Sequence, residues 1–404
     1  MITPAPLQGP HLRERFADLD AFLRAHQDLW RPVPFTELEL PWEKQYPELA
    51  GWLRRRTLAE ADAIHNYPER LQAPAPYPQL AAQSTALSCV GELPPARLET
   101  VPTAFTVDVP GRKWQQIEAF ASRLGFRRAP DNWLDWCAGK GHLGRRLAHD
   151  GTALTCIELD PGLVSEGQLL SRRLGLAAEH REQDALADGA AHHLSAAHTP
   201  VALHACGDLH VRLLQLASAA GCRQLAVAPC CYNRIRTQDY RPLSETAKAS
   251  ALHLSRADLR LPLSETVTAG ARVRRQRDRS MARRLAFDLL QRELRGCDQY
   301  LPVPSLPPGW LDKPFAQYCR ELCELKELPC PTERDWDALE ALGWQRLATV
   351  RNLEMPRSLF RRPLEIWLLL DRALFLEEQG YQVRLGNFCP AQLTPRNILL
   401  LAER

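Results

Sequence analysis

The sequence contains no apolar run long enough to cross a membrane; its longest clear stretch is Trp367-Leu368-Leu369-Leu370. Nor does the opening segment, MITPAPLQGPHLRERF, carry the apolar core of a secretory leader. Twelve cysteines without such a leader read as reduced thiols in a cytoplasmic protein. Excess charge of one sign is also missing. A net charge of +3, from 51 basic and 48 acidic residues, makes no electrostatic case by itself for a nucleic-acid partner. Lysine is scarce, at 6 of those 51, while Ala, Leu, Arg and Pro are abundant. That is the bias of a GC-rich bacterial genome, so a surplus of arginine means little on its own. Internal repeats are absent, which leaves out solenoid architectures. What remains is ordinary: 404 residues, 45% apolar and 25% charged, enough for two or three globular units.

The chain is organised around WLDWCAGKGHLG, Trp133 to Gly144. An apolar run ending in an acid leads into a loop with glycines at 139, 141 and 144, and Leu143, Arg145, Arg146 and Leu147 open a helix. Strand, glycine loop and helix bring backbone N–H groups against a nucleotide-like ligand. The G-x-G-x-x-G pattern alone is weakly specific. Two acids sharpen it. Asp135 stands where pyrophosphate binders keep an apolar residue; a carboxylate there repels pyrophosphate and suits the α-ammonium of S-adenosylmethionine. Glu158 closes the next apolar run, about 20 residues past the first glycine, where a carboxylate grips a ribose diol. The pair reads as an S-adenosylmethionine site.

Residues 1–110 read as a helical accessory or substrate region, with helices expected over 11–29 and 46–65 and an extended connector over the prolines of 68–78. Residues 111–235 read as the core. A helix over 113–124 precedes strands at 133–136, 153–158, 180–183, 200–204 and 224–228 that alternate with helices, which predicts a parallel, doubly wound α/β sheet. Residues 236–359 read as a mostly helical insert. The sheet resumes in 360–404 with a helix over 362–379 and a terminal strand pair at 381–388 and 397–402. A parallel sheet closed by one antiparallel strand is the seven-stranded, Rossmann-like arrangement of class I methyltransferases. Ordinary dinucleotide dehydrogenases lack it.

DWCAGKGHLG, IELD, LHACGDL, APCCYN and the terminal TPRNILLLAE together resemble the class I methyltransferase family of methyltransferase-like protein 25. The methyltransferase part of the glutathione-S-transferase C-terminal-domain-containing protein resembles them too, and a eukaryotic tRNA ribose 2′-O-methyltransferase is more distantly similar. The resemblance covers about 111–235 and 360–404. It implies cofactor contacts from Asp135, Gly139, Gly141, Glu158 and Asp184, with Cys137, Ala138, Lys140, Leu159 and His204 lining the same site. Asp184 would accept a hydrogen bond from the adenine amino group, or else simply cap a helix. One departure is GRKWQQI at 111–117, where family members carry a Lys-x-His-Glu pattern.

Methyl transfer from a sulfonium is an in-line displacement, so the protein can add alignment and removal of a proton. His204 or Asp208 could be the base, and Tyr232 or Asn233 could orient the acceptor, with Cys230 and Cys231 beside it. Each could equally satisfy backbone or core groups at a strand end. A metal held by His204, Cys206, Cys230 and Cys231 is disfavoured, because no C-x-x-C spacing occurs and adjacent strand cysteines point to opposite faces. Cys319, Cys323, Cys330 and Cys389 form a second candidate cluster, equally compatible with core packing. No metal is expected. Over 271–285, seven arginines, among them Arg274 and Arg275, face one acid, Asp278; they could follow a phosphate backbone or form a solvated helix face. The expected function is methyl transfer to a macromolecule, RNA before protein, with no membrane partner. A silent cofactor-binding module and an NAD(P)-dependent oxidoreductase are the competing classes.

Overall fold

The computed structural model describes residues 4–264 and 270–404. The chain divides into two compact units, Met1–Ala25, Leu87–Val267 and Arg361–Arg404 in one, and His26–Ala86 with Thr268–Phe360 in the other. No helix among the described residues is long and apolar enough to cross a membrane.

The first unit is built on a single mixed sheet. Its strands are β1 (Leu7–Gln8), β2 (Asn132–Trp136), β3 (Ala153–Glu158), β4 (Ala178–Glu182), β5 (His198–Cys206), β6 (Gln224–Cys230), β7 (Gln382–Asn387) and β8 (Ile398–Glu403). Their order across the sheet is β1-β7-β8-β6-β5-β2-β3-β4. β2 to β6 are parallel, and β8 is inserted antiparallel between β6 and β7. This is the class I methyltransferase arrangement, with an eighth strand added. β1 comes from the segment read as accessory, and pairs antiparallel with β7. Two residues are too few to show a strand period, which is why it escapes the sequence.

The central strands are continuous apolar runs because both faces are covered. Every residue of β6 and of β8 is buried. The helix Gly111–Ala121 places Ile117 and Phe120 on the sheet, and Phe120 meets Phe388 edge-on at 6.0 Å. The helix Arg361–Glu378 is buried almost all round, and the helix Pro10–Ala25 packs on it. There Phe16 lies 5.1 Å from the Trp367 ring, and Trp367 Nε1 donates to Asp20 at 3.1 Å. The strand order reverses between β2 and β5, so their carboxyl ends flank the crevice where open α/β sheets bind ligands.

The second unit is helical. Ala271–Arg295 and Trp336–Ser358 pair along their length, and Phe315–Leu325 adds an apolar face with Phe315, Tyr318, Cys319, Leu322 and Cys323 buried. The helix expected over 46–65 is two, Pro47–Arg54 and Leu58–Ile64, because Thr57 starts the second with a capping box closed by Glu60. The helix expected over 11–29 likewise breaks at His26. The connector over 68–78 instead holds a 3₁₀ turn, Pro68–Arg70, and the start of the helix Tyr77–Leu87.

Candidate active site

At the end of β2 the chain turns through Cys137, Gly139 and Gly141, all with positive φ, at 58°, 57° and 74°. The turn is stitched to β3 by Ala138 N–H donating to Ile157 O at 3.0 Å. Asp135 is buried and accepts from Gly144 N–H at 2.8 Å, which ties the strand to the following helix. Desolvation pushes its carboxyl up to about 6, against the pull of the Gly144 bond, Lys113 and Arg145. A buried carboxylate short of water is a site that a cation completes.

Glu158, at the end of β3, accepts from Gly139 N–H at 2.8 Å, Leu159 N–H at 2.9 Å and Asp160 N–H at 3.1 Å. A carboxylate offers about four acceptor sites, so capacity for a hydroxyl remains. Leu159 beside it is 62% exposed, an apolar side chain at the rim that a purine ring would cover. Asp184 follows β4 and accepts from Leu186 N–H at 2.8 Å through one oxygen, the turn-capping role, which leaves its second oxygen for an amino group. Lys140 turns outward to pair with Glu166 at 2.5 Å. The donor set, acid–turn–acid at the switch point, fits S-adenosylmethionine.

The ends of β5 and β6 are irregular. The pairing runs Leu203↔Ala228 and then Cys206↔Cys230, so β5 holds one residue more than β6 across the same step. The bulge is centred on His204, whose φ is 76°. His204 Nε2 meets Gln116 Oε1 at 2.9 Å, and Gln116 Nε2 donates to Leu393 O at 3.2 Å. That second bond orients the amide, so His204 Nε2 must carry the proton and Nδ1 is the free lone pair. Desolvation first, then the Lys113 ammonium, holds the imidazole below its usual value. Gly207 turns the chain with φ 53°, and an added Cβ there would collide with the Arg234 carbonyl.

Asp208 Oδ2 accepts from Arg236 N–H at 2.8 Å, so it fastens the 234–236 loop. Tyr232 is 1% exposed, edge-on to His210 at 6.2 Å and under the Arg372 guanidinium. Asn233 is half-buried on the loop above. Arg372 donates to His210 Nε2 at 2.8 Å, and Asp371 accepts from Leu243 N–H and Ser244 N–H. This buried network pins the whole 231–244 segment to the helix Arg361–Glu378.

Cys206, Cys230 and Cys231 converge, with the ligand atoms within 4.8 Å of one another. The expectation that adjacent cysteines diverge fails because Cys231 is left-handed, φ 44°, which swings its thiol back. Cys231 is lowered to about 5, first by a hydrogen bond from Cys230, with Arg234 and Arg396 assisting. The other cluster does not assemble: Cys319, Cys323 and Cys330 pack in the helical unit's core and Cys389 in the sheet unit's.

The arginine run also divides. Arg283 is buried, pairs with Glu340 at 2.8 Å and lies over Phe315 and Tyr318, while Arg284 donates to Val303 O and Pro304 O. Asp278 is taken by Arg351 at 2.8 Å. Arg272, Arg274, Arg275 and Arg279 are exposed. In the sheet unit a cleft of about 590 Å³ borders Asp208 and is lined by Arg212, Arg236, Arg241 and Lys248. Sequence reasoning missed that cleft, since its cations are scattered over 212–248. It also missed Gln116 and Lys113 as partners of His204, although the GRKWQQI departure marked their segment.

Residues 112–238 match the model of a family described as a methyltransferase domain. Among solved structures, the crystal structure of a coclaurine N-methyltransferase bound to N-methylheliamine and SAH is similar at 12% identity. It covers 98% of this chain and 95% of that chain, with a TM-score of 0.27. At that score the strand order, not the neighbour, is the ground for the fold.

Proposed function

We propose that this protein is an S-adenosylmethionine-dependent methyltransferase whose acceptor is a macromolecule, RNA before protein. The observation that carries the reading is the buried Asp135 facing a left-handed glycine turn, with Glu158 closing the next strand. S-adenosylmethionine, when bound, supplies an electrophilic methyl group. Asp135 holds its ammonium, Glu158 its ribose, and Leu159 covers its base. His204 accepts the acceptor's proton at Nδ1, with Gln116 fixing the tautomer. Support for an anionic acceptor comes from the cationic cleft beside Asp208 and from the exposed Arg274 and Arg275.

The test is calorimetry with S-adenosylmethionine, S-adenosylhomocysteine and NADH, then tritium-methyl transfer to RNA and protein pools. Micromolar binding of the first two and label in RNA is the expected result. Label in protein alone would replace the acceptor. Binding of NADH alone would sink the class.

A further inference from the structure

Two separate backbone irregularities bring three thiols to one point. Without the extra residue in β5, Ala205 would stand opposite Cys230; the bulge puts Cys206 there instead. In a parallel pair, residues in register share a face. Cys231 would then be on the other face, but its left-handed backbone turns it back. A non-glycine residue in that region is strained and persists where the surroundings enforce it.

The spacing is informative as well. Cys206 Sγ and Cys230 Sγ are 3.4 Å apart, hydrogen-bonded and not joined in a disulfide, and all three sulfurs fall within 4.8 Å. Thiolates on a tetrahedral zinc ion, at bonds of about 2.3 Å, lie about 3.8 Å apart. Three thiolates on a divalent ion leave one negative charge, which Arg234 and Arg396 are placed to offset. No other set of three such groups converges among the described residues.

We infer that Cys206, Cys230 and Cys231 form a binding site for a thiophilic divalent cation such as Zn²⁺, with the fourth tetrahedral position open to a small ligand. Three protein ligands and an open position are the pattern of sites that present a ligand, as opposed to closed structural sites. The site does not depend on the acceptor's identity or on cofactor binding.

Cobalt titration of the reduced, full-length protein tests this. One Co²⁺ per chain, with a thiolate charge-transfer band and the visible bands of a tetrahedral ion, is expected, and Zn²⁺ should displace it. The band should vanish in Cys206→Ser/Cys231→Ser and persist in Cys319→Ser/Cys323→Ser. Should the first variant fail to fold, by circular dichroism, alkylation of the unaltered protein with mass mapping replaces it: Zn²⁺ should protect Cys206, Cys230 and Cys231. No band in the unaltered protein, an unchanged band in the folded first variant, or no protection at these three would overturn the inference.

Discussion

The two halves of the strand-end crevice solve the same geometric problem differently. Both need the chain to turn sharply at a strand's carboxyl end. At the β2 end the turn runs chiefly through Gly139 and Gly141, which enter the left-handed region without steric penalty. At the β5 and β6 ends, besides Gly207, the irregular backbone runs through His204 in the bulge and Cys231 after the strand, which do not. The difference follows from what each half offers. The first presents backbone N–H groups and is best served by residues with no side chain. The second presents side chains, so glycine would remove the chemistry along with the strain.

The sharpest way to break that comparison is at His204. Both His204→Ala and His204→Gly should lower kcat by roughly 10²–10⁴-fold, yet the glycine variant should melt higher than the alanine one, by about 1 kcal/mol. Equal stabilities would mean that the left-handed backbone at 204 is not strained.

Asp135→Asn comes next. The amide keeps an acceptor for Gly144 N–H but cannot pair with an ammonium, so affinity for S-adenosylmethionine should fall roughly 100-fold by calorimetry. The same change should stabilise the ligand-free protein at neutral pH. Because the folded value of about 6 lies above the ordinary 3.8, the carboxyl favours the fold while protonated, and that contribution is lost as pH rises through about 6. Removing the charge should therefore recover roughly 2–3 kcal/mol above that pH. Cofactor binding to the unaltered protein should weaken as pH falls through the same value.

Gly207→Ala tests where the second half does need glycine. The added methyl meets the Arg234 carbonyl, so a loss of roughly 2–4 kcal/mol is expected in urea unfolding. The smallest effect belongs to Gln116→Glu. With the present amide, kcat/KM should decline only below the ordinary histidine range as pH falls, since His204 must be neutral to act. A carboxylate at 116 favours the imidazolium and should move that acid limb up by about one unit. An unmoved limb would remove His204 from the role of base.

The strand, glycine turn and second strand of the first half were legible in the sequence because their signals are local. An acid, three glycines and a second acid at fixed spacing need no distant partner to be interpreted, and the strands that carry the acids are mostly apolar. The second half was legible only as a list of residues. Nothing in PCCYN says that Cys231 is left-handed, and nothing in LHACGDL says that one residue is bulged out. Nor does APCCYN say that Tyr232 is buried against His210 and Arg372. Arg283 and Arg284 looked like surface charge because their partners, Glu340 and the 303–304 carbonyls, lie 57 and about 20 residues away.

The placement of β8 bears on the order of events during synthesis. It lies between β6 and β7 and pairs with both, so β6 has only β5 beside it and β7 only β1 until residues 398–403 have been made. A nascent chain that stops short of them leaves one edge of β6 and one edge of β7 unpaired, a form prone to wrong pairing. The sheet is thus closed by a strand that follows all the others along the chain, and growing chains should stay protease-sensitive until it emerges. Protection that appeared earlier, in chains arrested before residue 398, would show that the remaining strands close without it.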